Sequence, residues 1–338
     1  MRQIFSIAFF ALFCSFQSCK QADKKVLTFR EKLEQVADSV KVGGITVKNL
    51  FKSQILAHGP SGYDSSMIIE KVYVPHQALW DNCYAMIFGN ENASKFNTES
   101  GIIEWNKTLY PENKEFFEKR ALELIEMNLD SVLENNLQKF DKLVPYKAEA
   151  TVSIAFTPLT GILFGGCDND QFCLELNYKE QNVRYTVEYG IPHELNHLAY
   201  EPLRKNDPDS GTALRQVIDE GFACYFTWVF FEKKISKHEA VENMTEKEWE
   251  WYLNNEKQIY AKTKEYFTDT SGDNPLLRNG KYKLFEDAPK TLYYWMGFRI
   301  VEKYVEIHGP GSWRDIYEMN VRDVFERSGY AEFISESV

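Results

Sequence analysis

No stretch of this chain after its first 20 residues is long and apolar enough to cross a bilayer, because a spanning helix needs about 20 predominantly apolar residues. The sequence also lacks internal repeats and low-complexity segments, which argues against a solenoid or a disordered chain. Basic residues are outnumbered: 39 Lys and Arg stand against 50 Asp and Glu, a formal net charge of -11. Because phosphate binding needs clustered Lys and Arg, and no basic stripe is present, we expect no nucleic-acid partner.

Cysteine is scarce, and its spacing excludes one common type of zinc site. The chain has six cysteines, none of them in the C-x-x-C spacing of a structural zinc centre: Cys14, Cys19, Cys83, Cys167, Cys173 and Cys224. Cys167 and Cys173 flank a turn-like segment between two apolar runs, so a disulfide across this hairpin is one interpretation. Spacing alone does not fix the bond geometry, and this pairing stays open.

The first residues have the pattern of an export signal. Arg2 precedes a short apolar run from Ile4 to Phe16, and Ser18 and Cys19 follow it. The Ser-Cys pair resembles the lipobox of bacterial lipoproteins, so we predict a lipoprotein signal peptide at residues 1–18 and lipidation of Cys19. A plain secretory signal with an unrelated cysteine is the alternative. In both cases we expect the protein in the cell envelope; with the lipid it is anchored to a membrane, in the outer membrane and facing the periplasm or the surface.

The body of the chain has the composition of a globular protein, with 44% hydrophobic and 26% charged residues. We expect a tether and first helix at 19–45, a mainly helical region at 46–148, and a further domain at 149–338. The order of helices, then strands, then helices favours an α+β fold. The patterns predict strands at Ile68–Val74, Ala150–Phe156, Gly161–Phe164 and Phe172–Leu176, and helices around 112–140, 212–232, 246–266 and 292–304.

The segment IPHELNHLAY at 191–200 contains an H-E-x-x-H string formed by His193, Glu194 and His197. Residues four apart lie on one face of a helix, so the two imidazoles can each point one nitrogen at a single ion. Glu194 lies about 100° further round the helix, which suits a general base acting on a metal-bound water. Pro192 must sit in a first turn or kink the helix. Two ordinary histidines at this spacing are the alternative interpretation.

A third ligand is expected from the next helix. Glu220 falls on the small and apolar face of that helix, and an isolated buried carboxylate is costly, whereas a divalent cation would balance it. Gly221 and Ala223 would let this helix approach the histidine helix closely. The alternatives are a buried salt bridge from Glu220 to Arg215 or Arg299, or a misread helix face.

Three segments carry a family resemblance: HELNH at 193–197, DEGFACYF at 219–226 and FGGCDNDQFCLELNY at 164–178. With them the chain resembles the gluzincin metallopeptidases, and within these the YjaZ-like predicted zinc-dependent proteases. A looser match is YYWMGFRIVEKY at 293–304. The similarity covers roughly residues 150–305, and it implies that 149–338 is a zincin-like metallopeptidase domain.

The resemblance implies a hydrolytic mechanism. His193, His197 and Glu220 would bind Zn²⁺, and Glu194 would take a proton from a zinc-bound water as that water attacks a peptide carbonyl of a peptide or protein substrate. Tyr293 or Tyr294 would donate to the oxyanion, unless both are packed aromatic residues.

Other expectations concern the surroundings of the site. The strand at Phe172–Leu176 is where an extended substrate would pair, and Asp219 would orient a histidine nitrogen or else start the helix. A different class of function is also open: a cell-envelope binding lipoprotein whose zinc site is structural or vestigial. A zinc enzyme acting on something other than peptides is a third.

Overall fold

A computed structural model describes residues 27–168, 171–179, 182–289 and 291–336. The predicted signal peptide and Cys19 lie outside these residues. The α-helices are α1 (Phe29–Gln35), α2 (Leu50–Leu56), α3 (Ser65–Ile68), α4 (Gln77–Leu79), α5 (Ala85–Ile87), α6 (Asn90–Phe96), α7 (Glu99–Glu112), α8 (Lys114–Glu126), α9 (Leu129–Leu143), α10 (Val183–Tyr200), α11 (Ala213–Phe230), α12 (Lys237–Ala240), α13 (Glu246–Thr263), α14 (Asn279–Tyr282), α15 (Leu292–His308), α16 (Val321–Arg327) and α17 (Tyr330–Glu336).

The strands are β1 (Ser39–Val42), β2 (Ile45–Asn49), β3 (His58–Gly59), β4 (Gly62–Tyr63), β5 (Ala150–Ala155), β6 (Phe164–Asp168) and β7 (Gln171–Glu175). Short 3₁₀ segments are at Val74–His76, Glu201–Arg204, Lys264–Tyr266 and Ser312–Glu318, and π-helical turns are at Ile69–Tyr73 and Trp80–Tyr84. The α+β class predicted from the sequence is confirmed. No helix in the described part of the chain has the length and apolarity of a membrane span.

A five-stranded mixed sheet of order β1-β2-β5-β7-β6 forms the floor under the site. β2, β5 and β7 are parallel, and β1 and β6 are the antiparallel edges. One row across the sheet consists of Val40, Val47, Val152, Phe172 and Gly166, all paired in register. β-Branched and aromatic residues suit a sheet face covered by a helix. The sheet thus takes strands from both sides of residue 149.

Helix α10 has an apolar face that contacts the sheet and a second face, with the two histidines, that is directed toward α11. Ile191, Leu195 and Leu198 are buried and line an apolar contact with the sheet. His193 and His197 lie on another face of the same helix, toward α11. The side chain of Asn182 accepts a hydrogen bond from the backbone N–H of Tyr185 and caps the helix start. Pro192 lies inside this helix rather than in its first turn.

Glycine allows a close approach of two helices, but the pair is α11 with α15 and not α11 with α10, as the sequence predicts. Gly221 of α11 faces Gly297 of α15, and a Cβ on either residue would collide with the backbone of the other helix. The two glycines therefore allow α11 and α15 to pack with their backbones almost in contact. Gly221 was expected to bring α11 against the histidine helix; its close partner is α15.

Two local expectations differ from the structure. Ile68–Val74 is helical, because Ile68 and Val72 are one helical turn apart and both fully buried, so packing overrides the β-propensity of this run. Cys173 is a free, buried thiol whose sulfur lies 3.1 Å from the Tyr84 hydroxyl oxygen, so the disulfide from Cys167 to Cys173 is not formed. Cys83 is disulfide-bonded.

Candidate metal site

Three polar atoms from α10 and α11 converge on one point. The Nε2 atoms of His193 and His197 are 3.0 Å apart, and Glu220 Oε2 lies 3.2 Å from the first and 3.3 Å from the second. Both imidazoles are buried, and the Glu220 side chain is 25% exposed. These three residues, named here the histidine cluster, are the ones that the sequence singles out as metal ligands.

The donor set fits zinc. Tetrahedral bonds of about 2.1 Å place neighbouring ligand atoms about 3.4 Å apart, close to the separations in the histidine cluster. Two imidazole nitrogens and one carboxylate oxygen are also ligand types that Zn²⁺ accepts. The alternative ion pairs for Glu220 are not made: Arg215 bonds to Asp219 at 2.8 Å, and Arg299 bonds to Glu256 and Glu302.

Electrostatics in the histidine cluster favour a positive charge between the three side chains. Burial acts to raise the pKa of Glu220, but His197 and His193 outweigh it and hold that pKa well below its usual range. Burial acts to lower the pKa of each histidine, but the acidic neighbours, chiefly Glu220, raise both. A carboxylate in this setting stays ionised, which is the state that binds a metal.

The H-E-x-x-H glutamate stands beside this cluster rather than within it. Glu194 is partly buried, and burial raises its pKa to about 7. It lines a cleft of about 510 Å³ together with His197, Glu220 and Tyr294. The ring of Tyr294 lies 6.2 Å from that of His193, and Tyr293 packs on Tyr294 at 4.5 Å. The structure thus places both predicted tyrosines near the histidine cluster, with Tyr294 on the cleft wall.

The far wall of the cleft is formed by β6, which contributes Phe164, Gly165 and Gly166. β6 is an edge strand of the sheet. The segment Phe172–Leu176, where an extended ligand was expected to pair, falls mostly in β7, and β7 is already hydrogen-bonded to β5 and β6. Both edges of β7 are therefore occupied, and another chain cannot pair with it.

Acidic residues that were not predicted from the sequence lie next to the histidine cluster. His197 Nδ1 lies at ion-pair distance, 3.0 Å, from Glu201 Oε1, whereas Asp219, the expected orienting residue, accepts from Arg215 instead. Glu201 follows His197 by four residues, so the spacing that relates the two histidines would have found it. Glu242 is a second neighbour, with a carboxylate oxygen within 4.8 Å of a ring nitrogen of His193. Nothing in the local sequence marks it.

Some of the non-glycine residues with a left-handed backbone lie next to elements of the site. Leu163 precedes β6, Glu242 faces His193, and Thr291 precedes the helix of the two tyrosines; their φ angles are 63°, 54° and 73°. Non-glycine residues in this left-handed region cost roughly 1 to 2 kcal/mol each and tend to cluster at functional sites. Asn128, Glu232, Lys233 and Lys283 also have positive φ angles, so backbone strain alone does not mark the site.

Comparison with known proteins gives one result. A family model described as gliding motility protein GldB matches residues 164–332, half of the chain. The matched segment contains the whole histidine cluster together with Glu194, Glu242 and both tyrosines. Searches of the curated proteins and of the solved structures gave no match.

This match corrects the function inferred from the motif. The assignment to YjaZ-like gluzincin peptidases, the peptide-bond hydrolysis and the description as a hydrolase and metalloprotease are wrong, because the matching family is a gliding motility lipoprotein family and not a peptidase family. The H-E-x-x-H string and its distant glutamate specify a convergence of ligands, and such a convergence does not by itself require hydrolysis. A lipoprotein family indicates the cell envelope, with a membrane and protein partners. The chain belongs to the family of the gliding motility protein GldB.

Proposed function

We propose that this protein is a cell-envelope lipoprotein that binds a protein partner of the gliding machinery and contains a structural zinc site formed by His193, His197 and Glu220. The observation that carries the proposal is the convergence of their three ligand atoms at 3.0 to 3.3 Å. The role of the metal is to fix α10 against α11. It acts on the fold and not on a substrate.

The position of the histidine cluster supports a structural role. α10 covers the sheet and α11 packs on α15, so a metal held between α10 and α11 joins the sheet layer to the C-terminal helices. Structural zinc contributes directly to folding free energy, because its ligands are assembled only in the native state. A zincin-like placement of the two ligand helices beside a small mixed sheet is part of this proposal, without the hydrolytic activity of that group.

The anchor completes the proposal. Lipidation of Cys19 would tether the protein to the outer membrane. The GldB family match supports a role in gliding motility, and the Ser18–Cys19 pair supports the lipid.

The test is metal analysis of the purified full chain in detergent. We expect one zinc per chain in the wild type, none in His197→Ala, and one in His308→Ala, a control histidine on the exposed end of α15 whose Nε2 lies 3.0 Å from the Arg327 carbonyl oxygen. A chelator should lower the melting temperature of the wild type and leave that of His197→Ala unchanged. A wild-type protein that takes up no zinc when titrated would refute the proposal.

A further inference from the structure

The second nitrogen of His193 points away from the histidine cluster. His193 Nε2 faces Glu220 and His197, while Nδ1 lies 3.9 Å from Cys224 Sγ, at the outer limit for a hydrogen bond to sulfur. A carboxylate oxygen of Glu242 completes this group: it, the sulfur and a His193 ring nitrogen lie within 4.8 Å of one another. His193 therefore has the histidine cluster at Nε2, a thiol at Nδ1, and the Glu242 carboxylate within 4.8 Å of one of its ring nitrogens.

Glu242 is held in place by an anchored and strained turn. Glu242 and Asn243 have φ angles of 54° and 51°, two consecutive left-handed residues without a glycine. The turn is closed by the His238 ring, whose Nδ1 is 2.7 Å from the Met244 carbonyl, and it is attached to α10 by the Tyr185 hydroxyl, which donates to the Glu239 carbonyl at 2.8 Å. Strain of this kind persists only where the surroundings over-determine it.

The chemistry of imidazole decides what this group does. A neutral imidazole has one acceptor nitrogen and one N–H donor, so a His193 that binds a metal through Nε2 must carry its proton on Nδ1. A thiol is a weak acceptor for that proton and can instead donate to Nδ1, which would favour the tautomer that cannot bind through Nε2. A carboxylate accepts only, and it therefore selects the metal-binding tautomer.

We infer that Glu242 is a positioning residue for His193, accepting the Nδ1 proton directly or through a bridging water and so keeping Nε2 directed at the metal. The inference rests on the proposed zinc site. It gives each imidazole its own carboxylate, Glu201 for His197 and Glu242 for His193, in the arrangement by which outer carboxylates fix metal-bound histidines.

The test measures zinc affinity of the full chain by competition with a chromophoric chelator. Loss of an outer carboxylate costs about 10- to 100-fold in metal affinity. Because Glu242 is exposed, we expect the lower end, about tenfold, for Glu242→Ala, with partial recovery in Glu242→Gln, whose amide oxygen still accepts. Glu250→Ala, which removes an exposed carboxylate of α13 and leaves the turn unchanged, is the control and should keep wild-type affinity.

A purely structural role for Glu242 would lower the melting temperature of the metal-free protein without changing the affinity of the folded site. We expect the reverse: an unchanged metal-free melting temperature, weaker zinc binding, and an altered visible spectrum of the cobalt-substituted protein. Wild-type zinc binding with unchanged affinity in Glu242→Ala would overturn the inference and leave the zinc site standing, whereas absence of zinc in the wild type would remove both. Two zinc ions per chain, reduced to one in Cys224→Ser, would also overturn it, since His193 would then bridge two metals.

Discussion

Two buried groups of charged side chains in this protein neutralise their carboxylates in different ways. In the arginine cluster, Arg299 bonds Glu256 at 2.9 Å and also pairs with Glu302, and the Tyr330 hydroxyl donates to Glu256 at 3.1 Å. In the histidine cluster the ion pairs of Glu220, among the described residues, are with the two imidazoles. A guanidinium is permanently charged and fills its site, whereas imidazoles can lose their protons to an incoming metal. The first cluster is therefore complete, and the second can accept a cation from outside.

The largest expected effect comes from removing the built-in cation. Arg299→Met leaves the buried Glu256 without a cation and leaves Glu302 paired only with Lys237 among the described residues, which we expect to cost about 3 to 5 kcal/mol of unfolding free energy. Zinc should not restore it. Urea unfolding of the full chain measures the loss, and Arg184→Met, which breaks an exposed pair with Glu188, is the control with an expected change under about 1 kcal/mol. If Arg299→Met lost as little unfolding free energy as the control, the buried carboxylates of the arginine cluster would not depend on their built-in cation, and the contrast with the histidine cluster would fail.

Removing the acid of the histidine cluster should abolish most of the stabilisation that the metal supplies. At a free zinc concentration of about 100 times Kd, binding adds about 2.7 kcal/mol to the stability of the wild type. Glu220→Gln should lose most of this increment, and the metal-free protein should also lose the attraction between the carboxylate and the two imidazoles. Unfolding with and without zinc tests this, and Arg299→Met should keep the full increment because the two clusters share no side chain. A zinc increment that survives in Glu220→Gln would show that the metal binds elsewhere.

The glycine contact joins the helices of the two clusters. Gly297 lies two residues before Arg299 on α15, and Gly221 follows Glu220 on α11. A methyl group at Gly297 would collide with the backbones of Val217 and Gly221, so Gly297→Ala should cost about 2 to 3 kcal/mol through overpacking. Because α11 would move, zinc affinity should fall as well. Gly280→Ala, where an added Cβ meets nothing, is the control. A stability loss without a change in zinc affinity would separate the helix contact from the site.

The comparison also shows what the sequence can and cannot predict. His193, His197 and Glu220 were identifiable because regular helical spacing brings chemically distinctive residues to one face. The pairs Arg215–Asp219 and Arg299–Glu302 also lie at helical spacings of four and three residues and could be read in the same way. Glu256 could not, since it becomes a neighbour of Arg299 only through the packing of α13 against α15. The position of Glu242 depends on two left-handed residues, Glu242 and Asn243, which no local sequence pattern predicts.

The same limit applies to the fold. Helical periodicity predicted the long helices well, because each buries one stripe of its own side chains. The pairing of β2 with β5, which brings strands from both ends of a long helical segment together, is a non-local choice that local pattern does not record. The short run Ile68–Val74 has strand-forming residues and is nevertheless helical, since Ile68 and Val72 are buried on a helical stripe.

A third buried carboxylate extends the comparison, because backbone amides balance it. Glu175 is fully buried, and its Oε2 accepts from the N–H groups of Gly161, Ile162 and Leu163 at 2.9, 3.0 and 2.9 Å, while Tyr84 donates to Oε1. Three aligned N–H dipoles stabilise an anion without any cation. This bond set also holds the strained Leu163 in front of β6, at the rim of the cleft.

Glu175→Gln should therefore cost about 1 to 2 kcal/mol, the smallest of these effects, since the amide oxygen still accepts some of the three bonds but lacks the charge. The change should appear as faster hydrogen exchange at 161–163, with zinc affinity unaffected because the ligands stand on helices α10 and α11. Tyr84→Phe is the matched control: it removes one donor from Glu175 and leaves the three amide bonds, so exchange at 161–163 should remain slow. If zinc affinity fell in Glu175→Gln, the rim and the histidine cluster would form one cooperative unit. The contrast between Glu175, stabilised by the protein's own amides, and Glu220, stabilised by a bound metal, would then not hold.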